Sequence, residues 1–539
     1  MNMYAKQRSC VLNEDRLSRL PDDILIHILS LLPLKDAVKG ICNASRRFHK
    51  FWPFIHTLNF DQCMFPEHDC DYYLEAGRPD YDERFVHSVR HVLLRSKSPT
   101  IHKFCLKFHF RLSYSFWQRT SNSTGIWQYY DFLRSEKRMA NEIGTWIQFA
   151  LNKNLEVLDL SFSEHGTVGP QALYDLPNCV LSSPHLVELR LTHCTINAKK
   201  KSKLKSLKTL YLNNVVLMDQ SMDYILSGCP MLEELTLQLC YGHIRVVLLN
   251  SNLKTLKLDI GWFRQRIHVS CPTLLSLDMS GAVEVLDIAN VASIAEVSVN
   301  RNLIFDFDVY KDYQGIKTFL QTFTRAKTLN LCSWFALGDI LTINWIRGAM
   351  ALGFVFNVSG SGICQYSCTL CNLLLKAFVT YRVVFSVWQL KNLPSPTFSC
   401  KSLHLQLDFM IWNLPGILNL LKHCPCLENL IIKITSSYNE FTSQKQLSWY
   451  HLYKFDADEY WNMVDAPVQC LIHHLKTVEV AGLVKKKFVI QFLEYLLRHS
   501  MVLKKMKIFA KKKTSKIFEY EERLLNAPKA SASAAVLFY

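Results

Sequence analysis

This sequence has no nucleophile elbow and no glycine-rich phosphate loop between a strand and a helix. Those two absences remove the usual sequence signatures of acyl transfer and of nucleotide chemistry. Met1–Glu14 holds no apolar stretch of signal-peptide length. The chain is therefore expected to stay inside the cell, in the cytoplasm and/or the nucleus. His473 and His474 have no acidic or cysteine partner at ligand spacing, so no metal site is expected there. The lysine runs Lys199–Lys205, Lys485–Lys487 and Lys511–Lys513 have no interleaved aromatics. They read as solvated loops, and nucleic acid is not an expected partner. Asp456-Ala-Asp-Glu459 reads as an acidic loop rather than a catalytic pair. The expectation is a non-enzyme with no cofactor.

What is present is apolar patterning on a scale no single core absorbs. The chain has 539 residues, 49% hydrophobic and 20% charged, with a formal net charge of +16. That length implies several domains or a repeat array, and the charge favours acidic partners. The 18 cysteines, in a reducing compartment, are expected to be packed thiols.

Asp15 to Pro33 reads as a bounded helix. Pro21 suits the first helical position, Asp22 and Asp23 complement the helix dipole, and Pro33 ends the helix. Ile24, Ile28 and Leu32 lie four apart on one face, widened by Leu25 and Leu29. A second helical stretch follows from about Lys35 to the cluster Arg46–Trp52. So short a module buries little alone. A partner completes it, or it packs as a hairpin on the rest of the chain.

From Leu155 the pattern Leu-x-x-Leu-x-Leu recurs, with starts at Leu155, Leu186, Leu207, Leu232, Leu253, Leu274, Ile294 and Ala326. Their spacings are 31, 21, 25, 21, 21, 20 and 32 residues, which is the leucine-rich-repeat range. Each copy is expected to be a short strand with its leucines inward, buried only by its neighbours. Cys194 and Cys240 stand just past their strands, where such repeats turn the chain inward. Cys229-Pro230, Cys271-Pro272 and Cys424-Pro425 mark loops running into strands. Further copies begin at Cys400, Leu427, Leu475 and Leu503.

The residues resemble a known family. Leu20-Pro-Asp-Asp-Ile-Leu25 and Ile28–Val38 look like the first half of an F-box. Ser45-Arg-Arg-Phe-His49 departs from the Ser-Lys-Arg-Trp-Arg-like run usual in the second half. Cys470–Val480, Phe492–Leu497, Val502–Ile508 and the tail Leu524–Ser531 resemble the FBD module that closes many plant F-box/leucine-rich-repeat proteins. The resemblance implies an α/β fold, a small helical F-box followed by a leucine-rich-repeat solenoid. It also implies a non-catalytic substrate receptor of an SCF-type (cullin-based) ubiquitin ligase, which binds a Skp-family adaptor and, through it, cullin. The adaptor-binding residues it points to are Leu20, Pro21, Ile24, Leu25, Ile28, Leu29, Leu32, Pro33 and Val38. An unknown target protein would be held by outward-facing residues of the strands. By geometry these are Glu156, Asp159, Glu188, Arg190, Lys208, Tyr211, Glu233, Thr236, Lys254 and Lys257. A scaffold outside any ligase, or a decayed family member, is the alternative.

The expected organisation is a tail over 1–14, the F-box over 15–58, an irregular bridge over 59–146 and repeats over 147–335. Repeats return over 393–434, a linker follows over 435–469, and the FBD-like module covers 470–539. The segment between, 336–392, fits none of this. The spacing jumps to 74 residues from Ala326 to Cys400, and Gly348–Leu375 carries no charged side chain. Polar residues from Asn357 to Ser367 interrupt it, so a membrane span is not expected. Removing about 48 residues would restore a repeat spacing of about 26. An irregular insertion loop is the second reading, though one this apolar would need something to cover it. The third, which the spacing favours, is that Ile340–Leu390 is a translated intron or gene-model error. Cys364-x-x-x-Cys368-x-x-Cys371 has the spacing of the radical SAM iron–sulfur triad. A repeat fold lacks the barrel that family builds its cluster on, so the triplet reads as chance.

Overall fold

The computed structural model describes residues 20–32, 34, 37, 48–62, 80–110, 125–164, 174–218, 220–241, 244–247, 252–259, 266–280, 285–299, 313–332, 384–407, 413–434, 455, 460–462, 464, 468–482, 487–510 and 515–539. Pro33, Val38, Cys364, Cys368, Cys371, Asp456–Glu459 and most of the apolar segment lie outside the described residues. The chain divides into two compact units, Met1–Leu232 and Glu233–Tyr539.

In the first unit, helix α1 (Asp22–Leu31) starts one residue later than expected. Pro21 is the residue before the first turn: its backbone is extended, and its carbonyl accepts the first helical bond from Leu25 N at 3.1 Å. Asp22 and Asp23 do fill the first turn. Leu32 is extended, as the residue before a proline must be, and that ends the helix. Leu34 and Ala37, beyond it, are buried.

Strands β1 (Thr57–Asp61), β2 (Lys103–Phe110), β3 (Val157–Glu164), β4 (Glu188–Thr192) and β6 (Thr209–Asn213) form one parallel sheet. The register aligns Leu58, Phe104, Leu158, Leu189 and Leu210 across it, all buried. A second buried row runs from Phe60 through Leu106, Leu160 and Leu191 to Leu212. The bridge expected to be irregular therefore carries β2 and the larger part of β1, both strands of the array. Ile55-His-Thr-Leu-Asn-Phe60 and Ile101-His-Lys-Phe-Cys-Leu106 are repeat copies in which Ile and Phe replace Leu. Their spacing is stretched by helices α2 (Asp80–Arg95) and α3 (Gly125–Leu151). The two helices meet through Arg90 Nε, which donates to Glu142 Oε1 at 2.7 Å, and through Phe85 edge-on to Trp146. Short strands β5 (Thr195–Ile196) and β7 (Val216–Leu217) pair separately, and helix α4 (Ser221–Leu226) follows.

In the second unit, strands β8 (Glu234–Gln238), β10 (Thr255–Asp259), β12 (Ser276–Ser280), β14 (Glu296–Val299), β15 (Thr328–Cys332), β16 (Ser402–Leu407), β17 (Asn429–Ile434), β18 (Thr477–Gly482), β19 (Lys505–Ala510) and β20 (Ala535–Phe538) pair in that order, all parallel. Strands β9 (Ile244–Val247), β11 (Arg266–Ser270) and β13 (Val285–Ala289) form a smaller parallel sheet. Helices replace such strands later: α5 (Tyr313–Gln321), α6 (Val384–Leu390), α7 (Asn413–His423), α8 (Gln469–His473), α9 (Lys487–His499) and α10 (Ser515–Leu525). Both units are α/β repeat arrays, the fold class expected. Strand β15 pairs directly with β16, Thr328 opposite Ser402, so the array closes up across the anomalous segment. The end of that segment belongs to the fold, because Phe385, Ser386 and Trp388 of α6 are fully buried. Any foreign insertion stops before Val384.

Past several strands the chain turns through a left-handed residue: His193, Asn214 and Leu239 have φ of 56°, 54° and 50°. The residues after them, Cys194, Val215 and Cys240, are buried, which bears out the structural reading of both cysteines. Leu239 is the costly one of the three, because a left-handed leucine costs about 1–2 kcal/mol. We expect Leu239→Asn to raise the chemical-denaturation midpoint by an amount equivalent to about 1 kcal/mol. A lowered midpoint would show that the leucine side chain supplies packing that exceeds its backbone strain.

Candidate protein-interaction surfaces

Helix α1 has two apolar faces. Leu25 and Leu29 are 1% and 2% exposed and anchor the helix within the chain. They were expected at the adaptor surface, and their burial moves them to the core. Ile24 and Leu31 are 47% and 72% exposed, with Pro21 also exposed and Leu20, Ile28 and Leu32 half-buried. Positions 24, 28 and 31 follow the i, i+4, i+7 period of one helical face. Leu31 is the member that the four-residue spacing misses. It is the most exposed of the set.

The helix is tied to β1 through histidine. The rings of His27 and His56 stack at 6.4 Å, and Ser30 Oγ lies 3.4 Å from His56 Nδ1. Burial, and then the neighbouring His102 and His27, hold the His56 pKa below its usual 6.5. His56 therefore binds a proton less readily folded than unfolded, so its contribution to stability is present above pH 6.5 and is lost as pH falls below it. We expect the amide protection factors of α1, taken relative to the intrinsic exchange rate at each pH, to fall as pH drops below 6.5, and His56→Gln to flatten that dependence. An equal fall in protection in His56→Gln would exclude this histidine as the cause.

The outward positions of the first unit align Asn59, Cys105, Asp159, Arg190 and Tyr211 in one row across the sheet. Arg190 is held by a hydrogen bond to Glu188 and lies over the Tyr211 ring at 5.6 Å. The raised pKa of Asp159 follows from burial. Burial, with Asp159 alongside, pushes the Cys105 thiol up to about 11, so it is no nucleophile. Glu156 and Lys208 stand one residue ahead of their strands, in an adjacent row. In the second unit Thr236 and Lys257 are opposite each other at strand centres. Glu233 and Lys254 stand ahead of their strands and pair at 2.8 Å. Nine of the ten residues expected to meet a target therefore fall into two kinds of row; Glu188, opposite Val157 and Thr209 at the first position of β4, stands in a third, and several of the ten pair their charges with one another. Among the described residues no group of His, Cys, Asp and Glu is arranged to hold a metal ion. No helix among them is long and apolar enough to cross a membrane.

Comparison with known proteins marks three stretches of the chain. The family model described as F-box domain matches residues 17–52. The model described as FBD-associated F-box protein At5g56370, LRR repeats, matches 143–300, and the FBD model matches 465–508. The chain is 29% identical over 244 residues to a putative FBD-associated F-box protein of Arabidopsis thaliana, a match covering 44% of each. It is 31% identical over 248 residues to an F-box/FBD/LRR-repeat protein of the same plant, covering 45% of this chain and 49% of the relative. The chain thus spans less than half the length of those two relatives. A third, another Arabidopsis F-box/FBD/LRR-repeat protein, is 26% identical over 513 residues, 91% of both chains.

Proposed function

We propose that this chain, which carries an F-box, leucine-rich repeats and an FBD in that order, is the substrate-recognition subunit of an SCF-type ubiquitin ligase. The observation that carries the reading is the apolar stripe of exposed Ile24 and Leu31 with half-buried Ile28 between them, inside the F-box match, on a helix whose opposite face is already anchored. An apolar stripe exposed on an anchored helix is what a partner helix completes. F-box domains generally bind Skp-family adaptors. Cullin then follows through that adaptor, in the cytoplasm and/or the nucleus.

The repeats present the target. Their outward rows are polar and rigidly spaced. The chain itself performs no chemistry, and ubiquitin transfer belongs to other subunits. Co-purification of the full chain with a Skp-family adaptor, followed by cullin capture, tests the reading. A chain that folds and binds no adaptor would overturn it.

A further inference from the structure

One row in the second unit is nearly all lysine. Lys327, Lys401, Glu428, Lys476 and Lys504 each stand one residue ahead of β15, β16, β17, β18 and β19. A continuous ladder of backbone bonds joins them. Lys401 N donates to Lys327 O at 2.9 Å, Glu428 N to Lys401 O at 2.9 Å, Lys476 N to Glu428 O at 2.8 Å and Lys504 N to Lys476 O at 2.8 Å. The row is therefore as rigid as the sheet. The one carboxylate is shared: Glu428 Oε1 takes Lys401 Nζ at 3.1 Å, and Oε2 takes Lys476 Nζ at 2.7 Å. Lys327, Lys504 and the adjoining Lys505 have no ion-pair partner among the described residues. Four lysines against one glutamate leave an uncompensated positive edge.

Beside this edge runs a row that is polar and neutral from β15 to β18 and ends on Lys505 of β19. Thr328, Ser402, Asn429 and Thr477 occupy matching register positions on the outward face. They bond sideways, Asn429 Nδ2 to Ser402 Oγ at 3.2 Å and Thr477 Oγ1 to Asn429 Oδ1 at 2.5 Å. Neither row contains an aromatic on which a base would stack. Strands stand about 4.8 Å apart, so five of them span about 19 Å, the length of roughly six extended residues. Same-side carboxylates of an extended chain recur every ~6.8 Å, a mismatch that flexible lysine side chains absorb.

We propose that the leading edge of β15–β19 docks an extended acidic segment of a partner protein, which lies across the strands with its carboxylates on the lysine row and its backbone over the hydroxyl and amide row. The proposal takes from the ligase reading only the name of the occupant as a target. Glu428 sets the strength, because a carboxylate between two lysines lowers the attraction to an acidic guest.

The test uses the full chain and a fluorescein-labelled peptide of alternating Glu and Ser, read by anisotropy. Wild-type binding is expected to weaken steeply with salt. Lys327→Ala with Lys504→Ala, which removes no ion pair among the described residues, is expected to weaken it about tenfold, and the two Lys→Arg changes to retain it. Glu428→Gln is expected to tighten binding about threefold, an effect opposite to that of losing a merely structural bridge. Unchanged binding in the double alanine variant overturns the proposal, as does weaker binding in Glu428→Gln. Tighter binding of a single-stranded DNA of equal charge also overturns it, in favour of nucleic acid. Adaptor co-purification is run on the same preparations. Its failure with peptide binding intact removes the ligase reading alone, and the converse removes this proposal alone.

Discussion

Changing Ile24 and Leu31 together to aspartate is expected to abolish the proposed binding to a purified Skp-family adaptor and to leave the unfolding midpoint of the full chain unchanged. Both side chains are exposed, so the fold loses little. In a complex each would be buried, and a fully buried aliphatic side chain contributes about 1.5–3 kcal/mol. Two such losses, plus two carboxylates left in an apolar contact, correspond to a weakening of more than about 100-fold. Leu25→Ala and Leu29→Ala are expected to behave in the opposite way, opening cavities beneath the helix and costing about 2–5 kcal/mol of stability at sites buried within the chain itself. Isothermal titration and thermal unfolding, run on both sets, separate the two faces. Full adaptor binding by the aspartate variant, with loss of binding in a stably folded Leu25→Ala, would place the docking surface on the wrong side of α1.

The two faces of α1 also show what one sequence reveals and what it conceals. The bounds of the helix were legible, since two acidic residues and a following proline act locally. Which apolar residues face outward was not. Leu25 and Leu29 sit on the same broad stripe as Ile24 and Ile28, and only the chain they pack against divides that stripe. The i+4 series from Ile24 reaches Leu32, but a 3.6-residue period carries the face to Leu31. The repeats were legible wherever the period stayed near that of a bare strand and loop. Ile55–Phe60 and Ile101–Leu106 carried the same inward pattern. They went unread because Leu was exchanged for Ile or Phe and the helices α2 and α3 stretched the spacing. The lysine row is the extreme case. Lys327 and Lys401 are 74 positions apart, and only the register of β15 on β16 makes them neighbours.

Backbone demands give the second large effect, and a pair of identical substitutions with opposite outcomes isolates it. Gly482 ends β18 with φ of 121°, which L side chains rarely adopt. A Cβ there would stand 2.2 Å from the carbonyl oxygen of Ile434, the last residue of β17. Neither atom has a soft way out, because the carbonyl belongs to the main chain of one paired strand and a Cβ is bonded directly to the main chain of the other. Strain of about 1–3 kcal/mol adds to a comparable cost for the forced separation, so Gly482→Ala should lose about 3–5 kcal/mol. The damage would fall where β18 meets β17, in the region matched by the FBD model. Gly144 receives the same methyl group in the middle of α3, where the nearest atom is Pro177 Cγ at 3.9 Å, an ordinary contact. There alanine restores helix propensity and should stabilise by up to about 1 kcal/mol. Denaturation of the two variants alongside wild type reads the difference directly. Equal midpoints for Gly482→Ala and wild type would mean that β17 and β18 can part at that end without cost, and the closure of the array there would have to be rebuilt.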